Sequence, residues 1–223
     1  MIVVPRPSSL APRPMPLRGV FISLDGPEGS GKSTQARRLV AGLRQAGYRV
    51  TFLRDPGSTP LGRSLRRLLL HTREPLPPLT EALLFIGGRV RLVEDKIAPA
   101  LRQGRVVVCD RFHDSTVVYQ GYGGGVPVAP LDAIGRRAVG GVMPSLTLLL
   151  HVDRRRGFAR LRRSKDRMER KADGFHGRVA RGYLAWAARQ RGRIAVVDAA
   201  QPVAVVQATL RRLVRQRTGL RVT

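Results

Sequence analysis

Residues 18–34 read RGVFISLDGPEGSGKST, and this stretch decides the fold. Its first half is short, β-branched and aromatic and ends in a turn at Gly26, which predicts a buried strand. Its second half, Gly26-Pro27-Glu28-Gly29-Ser30-Gly31-Lys32-Ser33-Thr34, has the G-x-x-x-x-G-K-S spacing of a phosphate-binding loop. Glycines there let backbone N–H groups turn inward around phosphate oxygens, and the next helix adds its N-terminal dipole. Lys32 supplies a mobile cation for β- and γ-phosphates, and the Ser33 hydroxyl is a ligand for Mg²⁺. Residues 33–46 read as that helix, with Leu39, Val40 and Leu43 on one face and Gly47 as its stop. The loop predicts a phosphate-rich nucleotide without separating a GTPase, a motor ATPase and a small-molecule kinase. An N-K-x-D motif for guanine is missing, which weighs against the GTPase.

Outward from the loop, YRVTFLRD, RVVVCD, LTLLLHVD and RIAVVDA predict four more strands. Helices are expected between and after them at 61–70, 80–102, 130–140, 154–163, 175–191 and 202–215. Thr80 is expected to cap the long second helix, with Glu81 favoured by the positive end of its dipole. Strands that are apolar on both faces and alternate with helices imply a five-stranded parallel sheet covered on both sides. The expected class is therefore α/β, a P-loop NTPase fold, over residues 18–223. Ligands of such sheets bind at the carboxyl ends of the strands, so chemistry belongs just after each strand.

The chain has 223 residues, room for one such domain with a tail. Residues 1–17 hold five prolines and predict an extended tail rather than a helix or central strand. This acidic-poor start also suits an organelle address, but it lacks amphipathic helical spacing. Cys109 is the one cysteine, which fits a reducing, cytoplasmic setting, and no apolar run is long enough to span a membrane. Net charge is +26, and 37 of the 41 cationic residues are arginines spread along the whole chain. Such a balance suits a polyanionic partner, yet it suits better a GC-rich genome in which Arg displaces Lys. Nucleic acid is not the expected partner, because no basic tail or aromatic–basic interleaving accompanies the charge.

Three clusters follow later strands. They are Arg54-Asp55-Pro56-Gly57-Ser58-Thr59-Pro60-Leu61-Gly62, then Asp110-Arg111-Phe112-His113-Asp114-Ser115-Thr116 with Tyr119-Gln120-Gly121, and an Arg-rich stretch ending Asp166-Arg167-Met168-Glu169. In order with the P-loop, Leu84-Phe85-Ile86-Gly87-Gly88-Arg89 and FHGRVARGYL, these blocks resemble the thymidylate kinase family across about residues 18–215. The resemblance implies transfer of the γ-phosphate of ATP to dTMP, with Mg²⁺, in a homodimer. It implies that Glu28 holds the sugar 3′-hydroxyl, that Arg111 and Arg54 grip the acceptor phosphate, and that Tyr119 borders the sugar 2′ position. Phe85 would stack on thymine and Arg89 would donate to a base carbonyl, while Ser115 and Gln120 would make polar contacts nearby. Asp110 would act on Mg²⁺ through water, and Asp55 would stand near the same waters. Residues 154–174 correspond to a lid over ATP. The P-loop carries no arginine, so the catalytic arginine is expected from Arg160, Arg162, Arg163 or Arg167, with Arg167 foremost and Arg160 and Arg163 assigned to ATP. Gly87 and Gly88 inside a helix cost it stability, and are expected either to admit the base closely or to reflect composition. The alternatives are a related P-loop kinase for another deoxynucleotide or deoxynucleoside, and a basic nucleic-acid-binding P-loop protein.

Overall fold

The computed structural model describes residues 18–161 and 166–223. The tail expected over 1–17, and Arg162 and Arg163, lie outside the described residues. All five predicted strands form: β1 (Val20–Asp25), β2 (Val50–Arg54), β3 (Val106–Asp110), β4 (Leu146–His151) and β5 (Ile194–Asp198). They make one parallel sheet in the order β2-β3-β1-β4-β5. β1 is central, so the P-loop leaves the sheet at its middle. The strand order reverses there, which opens a crevice at the carboxyl ends.

Helices cover both faces. On one side α1 (Lys32–Gln45) and α9 (Val203–Thr218) lay Leu39, Leu43, Leu210 and Val214 on Ile22, Leu24, Val108, Leu148 and Leu150. On the other, Phe21, Val107 and Cys109 meet Leu92, Ile97, Leu101 and Phe112. Leu149 meets Val117, Val118, Tyr183 and Trp186 of the same side. Alternate residues of one strand thus feed opposite cores.

α2 (Pro60–His71) begins with the Thr59 side chain accepting from Gly62 N at 2.9 Å. The long helix expected over 80–102 is three segments. α3 (Pro78–Leu92) runs through a π-helical turn, Val93–Ile97, into α4 (Ala98–Arg102). Pro77 flanks its start and Pro78 opens it, so Thr80 lies within the first turn and is not the cap. Gly88 does not serve a base: a Cβ there would stand 2.8 Å from Leu65 Cδ1 of α2, so it lets two helices approach. After β3 the sequence reading left a gap. There α5 (His113–Thr116) continues as a second π-helical turn, Val117–Gly123. α6 (Val128–Ala138), α7 (Arg154–Ala159) and α8 (Asp173–Arg189) complete the described elements.

Candidate active site

The crevice at the strand ends is a cavity of about 470 Å³. Its floor is the P-loop. Gly26, Gly29 and Gly31 all have positive φ, 144°, 66° and 85°, which glycine adopts without a Cβ clash. Lys32 is buried and donates to Gly26 O at 2.9 Å, Pro27 O at 2.6 Å and Ser30 Oγ at 3.2 Å. Burial first, and then the Arg111 guanidinium, pull its ammonium down to about 7. A polyanion beside it would restore the charge. α7 rests directly on this loop: a Cβ on Gly29 would lie 1.8 Å from Gly157 O, and one on Gly157 would lie 2.5 Å from Glu28 O. Two glycines therefore hold the start of the lid stretch against the phosphate loop.

Asp110 ends β3 and reaches Ser33 Oγ through Oδ2 at 2.6 Å, with Arg54 Nη2 at 3.4 Å from the same oxygen. Arg111 follows with φ 71°, a left-handed conformation that costs a non-glycine residue about 1 kcal/mol. This turn throws its guanidinium back over β1. Nη1 donates to Gly26 O at 3.2 Å, Ser115 Oγ at 3.0 Å and Tyr183 OH at 3.2 Å. Nη2 donates to Tyr119 OH at 3.3 Å, and the guanidinium carbon lies 5.1 Å from the Tyr119 ring centre. Tyr119 OH in turn donates to Glu28 Oε1. Burial would raise the Glu28 pKa, but Arg111 and Lys32 together hold it below the usual carboxylate value. Glu28 is thus an anionic acceptor for hydroxyls.

Arg66, from α2, lines the cavity with Arg54 and Arg111. Its pKa is lowered by burial first and then by Arg54 and Arg111 themselves. Three mutually repelling guanidinium groups around one cavity make a site for a dianion.

The far wall comes from α3 and the second π-helical turn. Phe85 is half-buried and lines the cavity, so it is not a core residue. Arg89 is buried with it. Its Nε meets Asp55 Oδ2 at 2.5 Å and its Nη2 donates to Thr116 Oγ1 at 2.9 Å, while Nη1 has no partner among the described residues. Asp55 is therefore partnered by Arg89; burial raises its pKa against the pull of that guanidinium. Gln120, also in the wall, donates through Nε2 to Glu81 Oε2 at 3.0 Å. Ser115 lines the cavity too, but it donates to Asp25 and accepts from Arg111. That places it beside the Arg111 guanidinium.

Two expected ATP contacts are not brought to the loop. Arg160 donates to Ala199 O at 2.9 Å and Ala200 O at 3.5 Å. Arg167 does not line the cavity: Nε donates to Leu69 O at 2.8 Å and Nη1 pairs with Glu81 Oε1 at 2.7 Å. A guanidinium held at both ends is a fastening; among the described residues Lys32 and Arg111 are the cations that donate to Gly26 O of the loop, and Arg162 and Arg163 lie outside the described residues. The sequence reading also missed Asp25, Arg66, Glu81 as a buried partner, Tyr183, and His176, whose Nδ1 lies 3.8 Å from Glu28 Oε2. Asp25 is buried beneath Arg111, where burial first and Asp114 second raise its pKa to about 7. Tyr183 and His176 sat inside the quoted FHGRVARGYL block, and helical spacing alone gave them no partner.

The site agrees with what the chain resembles. A thymidylate kinase family profile matches residues 24–210. A thymidylate kinase of Synechococcus sp. is 45% identical over 90% of this chain and 97% of its own length. One from Deinococcus radiodurans is 42% identical over 90% and 98%. The crystal structure of thymidylate kinase from Ehrlichia chaffeensis superposes with a TM-score of 0.72 at 31% identity, covering 88% of this chain and 98% of that one. On its sequence, its sheet order and the contents of its crevice, the chain belongs to the thymidylate kinase family.

Proposed function

We propose that this chain is a thymidylate kinase that moves the γ-phosphoryl group of ATP onto dTMP, giving dTDP and ADP, with the residues of the crevice in the following roles. The observation that carries these roles is that Arg54, Arg66 and Arg111 line the same cavity as the Lys32 loop. Two sets of anion-binding groups in one cavity suit a reaction between two polyanions, in which catalysis is positioning and charge neutralisation. The P-loop residues Gly26 to Thr34, through the backbone N–H groups of all but Pro27, and the Lys32 ammonium hold the ATP phosphates. The three arginines hold the acceptor phosphate, which is already anionic and attacks without a base. Lys32 and Arg111 balance the charge on the transferring group. Glu28 accepts from the sugar 3′-hydroxyl, and Tyr119 stands beside it against a 2′-hydroxyl. Phe85 stacks on the base, and Arg89 Nη1 donates to it.

The Ser33 hydroxyl and Asp110 carboxylate, 2.6 Å apart at the loop, are hard oxygen donors of the kind Mg²⁺ takes. They fit as the protein's share of its shell, Ser33 directly and Asp110 through water. The ion would neutralise phosphate charge.

A homodimer fits the apolar residues exposed on neighbouring helices: Leu61 and Leu68 of α2, Leu79 and Leu83 of α3, and Ile134 of α6. No described helix is long and apolar enough to cross a membrane. A cytoplasmic enzyme without a nucleic-acid partner fits the lone buried Cys109 and the dispersal of its arginines.

ADP release with ATP and Mg²⁺ against a panel of nucleoside monophosphates tests the reading. Strong preference for dTMP is expected. Equal rates with dGMP or AMP would overturn it.

A further inference from the structure

Glu81 lies in the first turn of α3 and is fully buried. A helix-dipole role needs no such burial. Its carboxylate gathers donors from two other parts of the fold. From the lid come Arg167 Nη1, 2.7 Å from Oε1, and Lys171 Nζ, 2.9 Å from Oε1 and 3.0 Å from Oε2. From the cavity wall comes Gln120 Nε2, 3.0 Å from Oε2. The lid turn is fastened further by Arg167, whose backbone N and side-chain Nε donate to Leu70 O and Leu69 O at the end of α2. Lys171 Nζ lies 4.6 Å from the centre of the Phe175 ring. Stability alone does not call for this cluster, because apolar side chains of similar volume often hold a buried junction as well or better.

The chemical consequence falls on Gln120. A carboxylate held by two cations only accepts, so it fixes which end of the Gln120 amide faces it. The nitrogen is committed to Glu81, and the carbonyl oxygen is the atom left for the cavity that Gln120 lines. An acceptor at that point suits the N3–H of thymine and opposes the bare N3 of cytosine. We propose that Glu81 is a positioning residue for base selection: held in place by the lid residues Arg167 and Lys171, it locks the Gln120 carboxamide in the orientation that reads thymine. The inference rests on the proposed reaction and on Gln120 facing the base.

The experiment measures kcat/KM for dTMP and for dCMP, and takes their ratio. That ratio is independent of the fraction of enzyme correctly folded. Glu81→Gln keeps the size but can both donate and accept, which frees Gln120 to flip. The ratio is expected to fall about tenfold or more, as when a polar partner is mismatched in a pocket. Because Glu81→Gln strands two cations, the triple variant Glu81→Gln, Arg167→Met, Lys171→Met is measured beside it, with the same fall expected. Ratios within twofold of wild type in both would overturn the inference. Gln120→Ala tells which premise failed. If it collapses the ratio while the Glu81 variants do not, only the positioning role is lost. If it leaves the ratio unchanged, Gln120 does not read the base, and the inference fails with that part of the site.

Discussion

Arg111 combines a left-handed backbone with more partners than any other side chain in the crevice, and Asp25 is the group beneath it. Asp25 accepts from Ser115 and from Tyr183 OH at 3.3 Å, and its Oδ2 has no partner among the described residues. With its pKa raised from 3.8 to about 7, the folded state holds a proton that the unfolded state has lost between those values. Stability contributed by that proton is full below about pH 4 and is lost as pH rises through about 7. Asp25→Asn should remove the dependence. The stability difference between variant and wild type should shift in favour of the variant by up to about 1.4 kcal/mol per pH unit across pH 4–7 and then level off. Chemical denaturation at several pH values checks this; parallel profiles would place the proton elsewhere. Arg66 offers a second check. Arg66→Ala removes one of three acceptor-phosphate cations, so KM for dTMP should rise about tenfold or more, with KM for ATP little changed.

At the scale of elements, the fastenings of the lid stretch include the backbone contact of α7 with the P-loop and the Arg167–Glu81 pair. Gly157→Ala puts a methyl 2.5 Å from Glu28 O, and two backbones must part. Activity should fall at least about tenfold while the melting temperature moves only a few degrees, because the change displaces the loop and spares the core. Arg167→Ala should do the reverse. Arg167 and Glu81 are 13% and 0% exposed, and the variant loses this pair and the bond to Leu69 O while Lys171 still holds the carboxylate, so the cost should be about 1–3 kcal/mol. Its kcat should fall far less than that of Arg111→Ala. Thermal melts with steady-state kinetics on both variants test the contrast. A kcat loss in Arg167→Ala as large as in Arg111→Ala would return Arg167 to the transition state.

For the whole molecule, the sheet is the rigid part and the crevice its consequence. Leu148 is fully buried in the strand beside β1 and packs beneath α1 and α9. Leu148→Ala should cost about 3 kcal/mol and lower the melting temperature by about 6–12 °C. KM for either substrate should stay within about twofold, measured below the new transition. Assembly is the other whole-molecule property. Leu83 is 50% exposed on α3, beside Leu79 one turn earlier. For the proposed homodimer, Leu83→Glu should move sedimentation from dimer to monomer, and an unchanged sedimentation coefficient would remove this face as the interface.

The sequence by itself determined the five strands, the P-loop, and which strand ends carry chemistry, because these follow from local pattern. Alternation and β-branching set the strands, and glycine spacing sets the loop. The family resemblance named Phe85, Arg89, Arg111, Tyr119 and Gln120, and the fold gathers them around one cavity. Tertiary structure alone decided the partners. Glu81 and Arg167 are 86 residues apart, Glu28 and Tyr119 are 91, and Asp25 and Ser115 are 90. No local pattern encodes such pairs. The His113–Gly123 helix escaped because its polar and glycine residues weaken helical propensity, and packing against α8 overrides that. The role expected of Arg167 changed for the same reason. A sequence shows that an arginine is present, and only the packed chain shows which carboxylate reaches it first.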